Sequence, residues 1–443
     1  MRRSLNAVLL GTFTLRFSTG LTGALLVYYL AELEGFGADR VTALEVGFLT
    51  AAFYVAELVL SPIFGMLSDR IGSRKVMQYG PIFGAVAVVM TALTTDLFLL
   101  GVTRWLEGAA AAASIPSILG FIAIATSQDE ALRGRVVARF EAATLAGLGL
   151  GLVAAGGLWA LLDRNAFYLN AVLYGVSFLI YRYGVTDAAG RRTSDVDPEG
   201  KTAELESGAG ALSRGFSLAR YRGVLSNPAV WLLAPTWIAV NAFIGAWTSQ
   251  SIFQLVNDPR PGFEDQLLMG GFEPAQVSVG LAVALAVFFA GLFYWGNRFK
   301  RYRRTTIMGI GIVGGVVMVG AIYGLNHAAG GLAVLQVPLA LVAGAGLFVL
   351  AGATPAALGM LADVSEHHPE DRGAIMGLYS VFLAVGQVVG SLFGGGAAEL
   401  MGIDGLLIAS VALLLLALGP LRWLRGSEHL VTRSDEPLVE AAA

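Results

Sequence analysis

The chain has 443 residues, of which 56% are hydrophobic and only 14% charged, with a formal net charge of −3. A soluble domain carries about 25% charged residues, so this composition is too apolar to cover a water-facing surface of its own size. Cysteine is absent, which removes disulfides, thiol catalysis and thiolate metal sites, while the 57 glycines suit membrane helices that pack backbone to backbone.

The apolar run from Ala7 to Ala31 is too long for the core of a signal peptide, and no small-x-small cleavage site follows it. It reads as a retained span. A membrane-crossing helix needs about 20 mainly apolar residues. By that rule spans fall at 6–31, 43–66, 75–94, 97–126, 136–161 and 165–183, then at 228–255, 274–296, 305–325, 332–362, 372–397 and 401–424. The expected fold is all-α, with twelve transmembrane helices in two six-helix halves, 1–183 and 227–425. A polar linker, 184–226, joins the halves, and a tail follows at 426–443. Within the linker, Leu212, Phe216, Leu218 and Leu225 are spaced among arginines. That pattern fits an amphipathic helix on the inner membrane surface or a plain basic linker.

Charge sets the orientation, because cytoplasmic loops collect Lys and Arg. With both termini inside, Arg40, Arg164 and Arg260 fall outside and Arg16 and Arg104 lie within spans, leaving 24 of the 29 basic residues in the cytoplasm. An odd number of spans destroys this asymmetry.

Between the second and third spans the chain reads Gly65-Met66-Leu67-Ser68-Asp69-Arg70-Ile71-Gly72-Ser73-Arg74-Lys75. Gly65 lets a neighbouring helix approach, Gly72 permits a tight turn, and Asp69 can pair with an arginine as a charge latch. This stretch closely resembles the loop pattern G-x-L-x-D-R-x-G-R-K of the major facilitator superfamily. The corresponding loop of the second half begins Gly296-Asn297-Arg298. Asn297-Arg298 stands where Asp69-Arg70 stands in the first half, a degenerate copy that fits an internal duplication.

In the fourth span, Arg104 to Gly108 resembles the superfamily's R-x-x-x-G pattern, in which the arginine is tied to proton movement. Glu107 follows Arg104 by three residues, on the same helical face, so the two can pair within the membrane. Burying such charges costs about 2.5–3.5 kcal/mol each even on a lenient scale, which makes a functional role the default reading and a structural ion pair the alternative. Arg16 and Glu57 lie at similar depth, about 15 Å from Asn6 and about 18 Å from Asp69 by helical rise. In the second half, Trp237, Asn241 and Thr248 share one face of the seventh span, with Gln387 in the eleventh. The fifth span is rich in glycine but lacks the proline and leading glycine of the superfamily's antiporter signature, and Gly386, Gly390 and Gly394 in the eleventh predict close helix packing.

The resemblance implies alternating access to a small organic solute at the midplane, with protons as the coupling ion through Glu107 or Glu57. Its partners are then the solute, protons and membrane lipids, with no nucleic acid and no cofactor, in the plasma membrane. Mostly apolar cavity helices favour export of an amphipathic compound, whereas Arg16 and Arg104 keep import of an organic anion open. A sensor or a lipid scramblase on the same fold are further alternatives. His367-His368 makes a poor case for a metal centre, and no nucleotide or zinc-protease motif points to an enzyme.

Overall fold

The computed structural model describes residues 2–127, 129–186, 228–259, 261–298, 301–357, 359–360 and 372–426, and these are almost entirely helical. Its long helices are α1 Arg2–Ala31, α2 Ala43–Ile71, α3 Tyr79–Leu93, α4 Leu97–Ala125, α5 Glu130–Leu162 and α6 Ala166–Gly184. They continue as α7 Pro228–Val256, α8 Pro274–Gly296, α9 Arg304–Asn326 and α10 Gln336–Leu350. The last helical stretch, Arg372–Gly426, is broken at Met401 and Gly402 into α11 (372–400) and α12 (403–426). The linker beyond residue 186, His367, His368 and the tail beyond 426 lie outside the described residues.

Among the described residues, eight helical segments are long and apolar enough to cross a membrane; four of these, Ser73–Leu93, Leu132–Gly184, Gly330–Ala357 and Ser380–Gly426, run over a break between helical stretches. Helix α1 is as long but is not one of the eight, because Arg16 and the hydroxyls of Thr12, Ser18 and Thr22 lower its hydropathy. The chain falls into two compact units, one of Met1–Leu26 with Val55–Leu218 and one of Val27–Tyr54 with Ala219–Ala443.

In the first unit, α1 crosses α5 with no side chain between the backbones. A methyl added at Gly151 would meet the Phe17 carbonyl, and one at Gly20 the Leu148 carbonyl. Polar groups join α1 to α6: Asn170 Nδ2 donates to Thr22 Oγ1 at 2.7 Å, and Ser177 Oγ donates to the Gly11 carbonyl at 3.0 Å. In the second unit α7 and α11 cross in the same manner. There Gly386, Gly390 and Gly394 lie directly against Ile238, Ala242 and Ala246, as their spacing predicts. The segment 27–54 is tied to these helices by Gln250 Nε2, which donates to the Ala43 carbonyl at 2.9 Å, and by Glu399, which accepts from the Ala43 amide at 2.8 Å.

Three sequence expectations need correction. Residues 65–71 are not a loop, because α2 runs on to Ile71 and only Gly72, at φ +95°, breaks it before the single turn Ser73–Val76. Gly65 admits no close helix either: a methyl there would only touch Pro116 at an ordinary 3.9 Å. The span expected at 332–362 begins with a 3-10 turn, Gly330–Leu335, and is interrupted after Leu350. The Trp295 indole N–H takes the Phe348 carbonyl at 3.2 Å, so the Gly352 amide turns to Val349 instead at 3.2 Å. Pro355 then has no N–H to return a bond to Ala351.

Candidate functional site

Helix α4 presents Arg104 and Glu107 one turn apart. Both are buried, at 5% and 3% exposure, and they form an ion pair within the helix. Small residues make room for them: Ala109 to Ala113 are all buried, and Thr103 donates to the Leu100 carbonyl rather than competing for the charges. Removing one partner of a buried pair leaves an uncompensated charge, so the two act as a unit.

Arg16 is brought to the same region by the α1–α5 crossing, since a methyl at Gly147 would meet the Arg16 Cβ. It is buried and lies within electrostatic range of Glu57 on α2 and Glu141 on α5. Tyr174 on α6 lies within range of both Arg16 and Arg104, and its hydroxyl is 3.4 Å from Thr22 Oγ1. One cluster in the first unit therefore gathers Arg16, Glu57, Arg104 and Glu107 with two members not singled out from sequence, Glu141 and Tyr174. Glu141 lies inside the span expected at 136–161, but no basic residue stands three or four positions from it, so no pairing shows along the helix; α5 starts at Glu130 and also carries Arg133, Arg135 and Arg139.

The second unit holds the other sequence candidates. Asn241 Nδ2 donates back to the Trp237 carbonyl at 2.9 Å, and both side chains are buried. Asn241 is pressed against Gly386 of α11. Thr248 is exposed and lies 3.3 Å from Gln387 Oε1. Gln250, Gln254 and Asn257 continue α7 as buried polar residues, which an apolar-run search passes over.

At the end of α2, Asp69 and Arg70 are exposed, and among the described residues Asp69 has no ion-pair partner. Arg74 reaches the Arg182 carbonyl at 3.0 Å, and Ser68 donates to Ser73 at 3.1 Å across the Gly72 turn. Asn297 caps α8, and Arg298 stacks on the Tyr294 ring at 4.7 Å.

The sequence profile of the Major Facilitator Superfamily matches residues 8–258 and 265–439. The chain belongs to this superfamily. It has the facilitator fold, and solved structures agree on the architecture. The nucleoside transporter NupG superimposes with a TM-score of 0.67 at 14% identity, over 97% of this chain and 100% of that one. A bacterial homologue of the human lysosomal transporter Spinster, inward-facing and unoccupied, gives 0.68 at 16%, over 98% of each. Identities this low carry the fold alone. Among curated relatives, the quinolone resistance protein NorA of Staphylococcus aureus is 26% identical over 182 residues, 41% of this chain and 44% of that protein. This facilitator thus matches less than half of NorA. Multidrug resistance protein 1 of Bacillus subtilis is 23% identical over 354 residues, 79% of each chain.

Proposed function

We propose that the protein is a proton-driven exporter of amphipathic organic compounds. Its two six-helix halves alternate access to a midplane site, in the plasma membrane with both termini in the cytoplasm. The observation that carries this reading is the charge balance of the cluster. Arg104 pairs with Glu107, and Arg16 lies within electrostatic range of Glu57 and Glu141, so three acids share two guanidiniums and an acid is in excess. Such a site suits a cationic amphipath or a proton better than an organic anion, because a carboxylate among the acids repels a second one. The names of the two curated relatives, a quinolone resistance protein and a multidrug resistance protein, point the same way.

In this mechanism a carboxylate of the cluster takes a proton in one state and gives it up in the other, as the halves move a guanidinium nearer to it or farther away. Glu107 beside Arg104 is the carrier, with Glu57 and Glu141 exchanging Arg16 between them. Exposed Asp69 and Arg70 at the end of α2 form a latch in one of the two states.

The test is flux of an amphipathic cationic dye in proteoliposomes under an imposed pH gradient. Wild-type protein should concentrate the dye and Glu107→Gln should not, while still binding it, since the glutamine mimics the protonated acid. If wild-type protein gives no gradient-driven flux, export by proton coupling is wrong. Flipping of a fluorescent lipid in the same vesicles would identify a scramblase.

A further inference from the structure

The second unit has an open groove of about 720 Å³ between α9, α10 and α12. Its floor exists because glycine removes side chains there: Gly309, Gly314 and Gly346 line it, and Gly314 and Gly346 bring α9 and α10 backbone to backbone. The walls are Ile310, Val313, Val317 and Val342, large apolar side chains left substantially exposed. Ile310, Val313 and Val317 follow one another along a single face of α9, over about 10 Å by helical rise. Such a groove within an apolar span is filled by something apolar and elongated.

One end of it has the opposite chemistry. Leu418, Leu421, Arg422 and Arg425 share a face of α12 at spacings of three and four residues, so the groove passes from leucine to two guanidiniums within two turns. Both arginines are exposed, and neither has an ion-pair partner among the described residues. Opposite them Thr305 and Thr306 lie in the first turn of α9, which begins at Arg304 after a cap residue, Arg303, that makes no side-chain capping hydrogen bond. The helix dipole adds positive potential at that end, and no acidic residue lines the groove.

We propose that this groove binds an anionic phospholipid, with its phosphate held by Arg422 and Arg425 at the start of α9 and one acyl chain along Ile310, Val313 and Val317. Basic pockets between transmembrane helices select anionic headgroups by charge, and a volume within the usual 300–1,000 Å³ of ligand pockets accommodates a chain. This assignment is independent of the transported substrate, because none of these residues belongs to the charged cluster of the first unit.

The experiment is native mass spectrometry of the purified full chain, titrated with phosphatidylglycerol or with phosphatidylcholine of the same acyl chains. Wild-type protein should retain phosphatidylglycerol about tenfold more than phosphatidylcholine. The double variant Arg422→Gln/Arg425→Gln should lose that preference, and Arg422→Lys/Arg425→Lys should keep most of it. Ala345→Phe, which fills the groove from an exposed position, should lose binding of both lipids. Equal melting temperatures in lipid-free detergent certify that the variants are folded. The proposal is overturned if wild-type protein shows no preference, if the Gln double variant retains it, or if Ala345→Phe binds phosphatidylglycerol as wild type does.

Discussion

His327 holds Asp404 through one ring nitrogen, with Nε2 at 2.9 Å from Oδ2 and 3.1 Å from Oδ1. Asn326 adds a donor to Oδ1 at 2.9 Å and accepts from the Leu268 amide at 3.0 Å, while Gln266 Nε2 donates to the Met401 carbonyl at 2.9 Å. The end of α9, the loop before α8 and the turn between α11 and α12 are thereby fastened together, with Gly402 at φ +62° beside Gln266. His327→Ala should lower stability by about 1.5–3 kcal/mol, the worth of a hydrogen bond to a charged group, and speed proteolytic nicking between 258 and 273. Asp265→Asn should change neither: its carboxylate is 72% exposed and 3.8 Å from the ring, where an ion pair contributes little. An equal effect of the two substitutions would contradict this account.

The Arg104–Glu107 pair predicts non-additive mutants. Arg104→Ala alone leaves a buried carboxylate uncompensated and should destabilise the protein by about 3–5 kcal/mol. Arg104→Gln combined with Glu107→Gln should recover most of that loss, since neither charge is then left without its partner. Melting temperatures of the single and double variants in one detergent decide the point.

Close helix crossings predict which glycines are irreplaceable. At Gly390 an added methyl would lie 1.8 Å from the Ala242 carbonyl oxygen, so Gly390→Ala should cost about 1–3 kcal/mol through overpacking. Gly65→Ala, with only a 3.9 Å contact, should be neutral or stabilising by up to about 1 kcal/mol from helix propensity. Thermal unfolding of the two variants gives the comparison, and a destabilised Gly65→Ala would mean that a helix does approach there.

Orientation can be read by thiol labelling, because the chain has no cysteine of its own. Asp265→Cys should react with an impermeant reagent added to intact cells, and Lys75→Cys only after the membrane is opened. The reverse pattern would invert the topology and move the phospholipid groove to the outer leaflet.

Much of this was legible from sequence, for reasons that differ by residue. Apolar runs announce helices because the bilayer demands them, and Arg104 and Glu107 announce their pairing because three residues set them on one face. The end of α2 was not legible as helix, because Ser68, Asp69 and Arg70 have the polarity of a loop; Gly72 alone marks the stop. Glu141 lies inside an expected span but carries no local sign of a partner, because Arg16, in its electrostatic range, stands on another helix. The break after Leu350 depends on a hydrogen bond from Trp295, more than 50 residues away, and no local pattern encodes it.

The polar load of α1 has a consequence for synthesis. Arg16 makes this helix a poor candidate to leave the insertion channel for lipid unaided, yet the glycine it packs against, Gly147, emerges from the ribosome 131 residues later, by subtraction of their numbers. At about 5–20 residues per second that is a delay of roughly ten seconds. Throughout it α1 lacks the α5 backbone that packs on Arg16 in the folded chain, so this buried arginine also sets the moment of greatest risk in assembly.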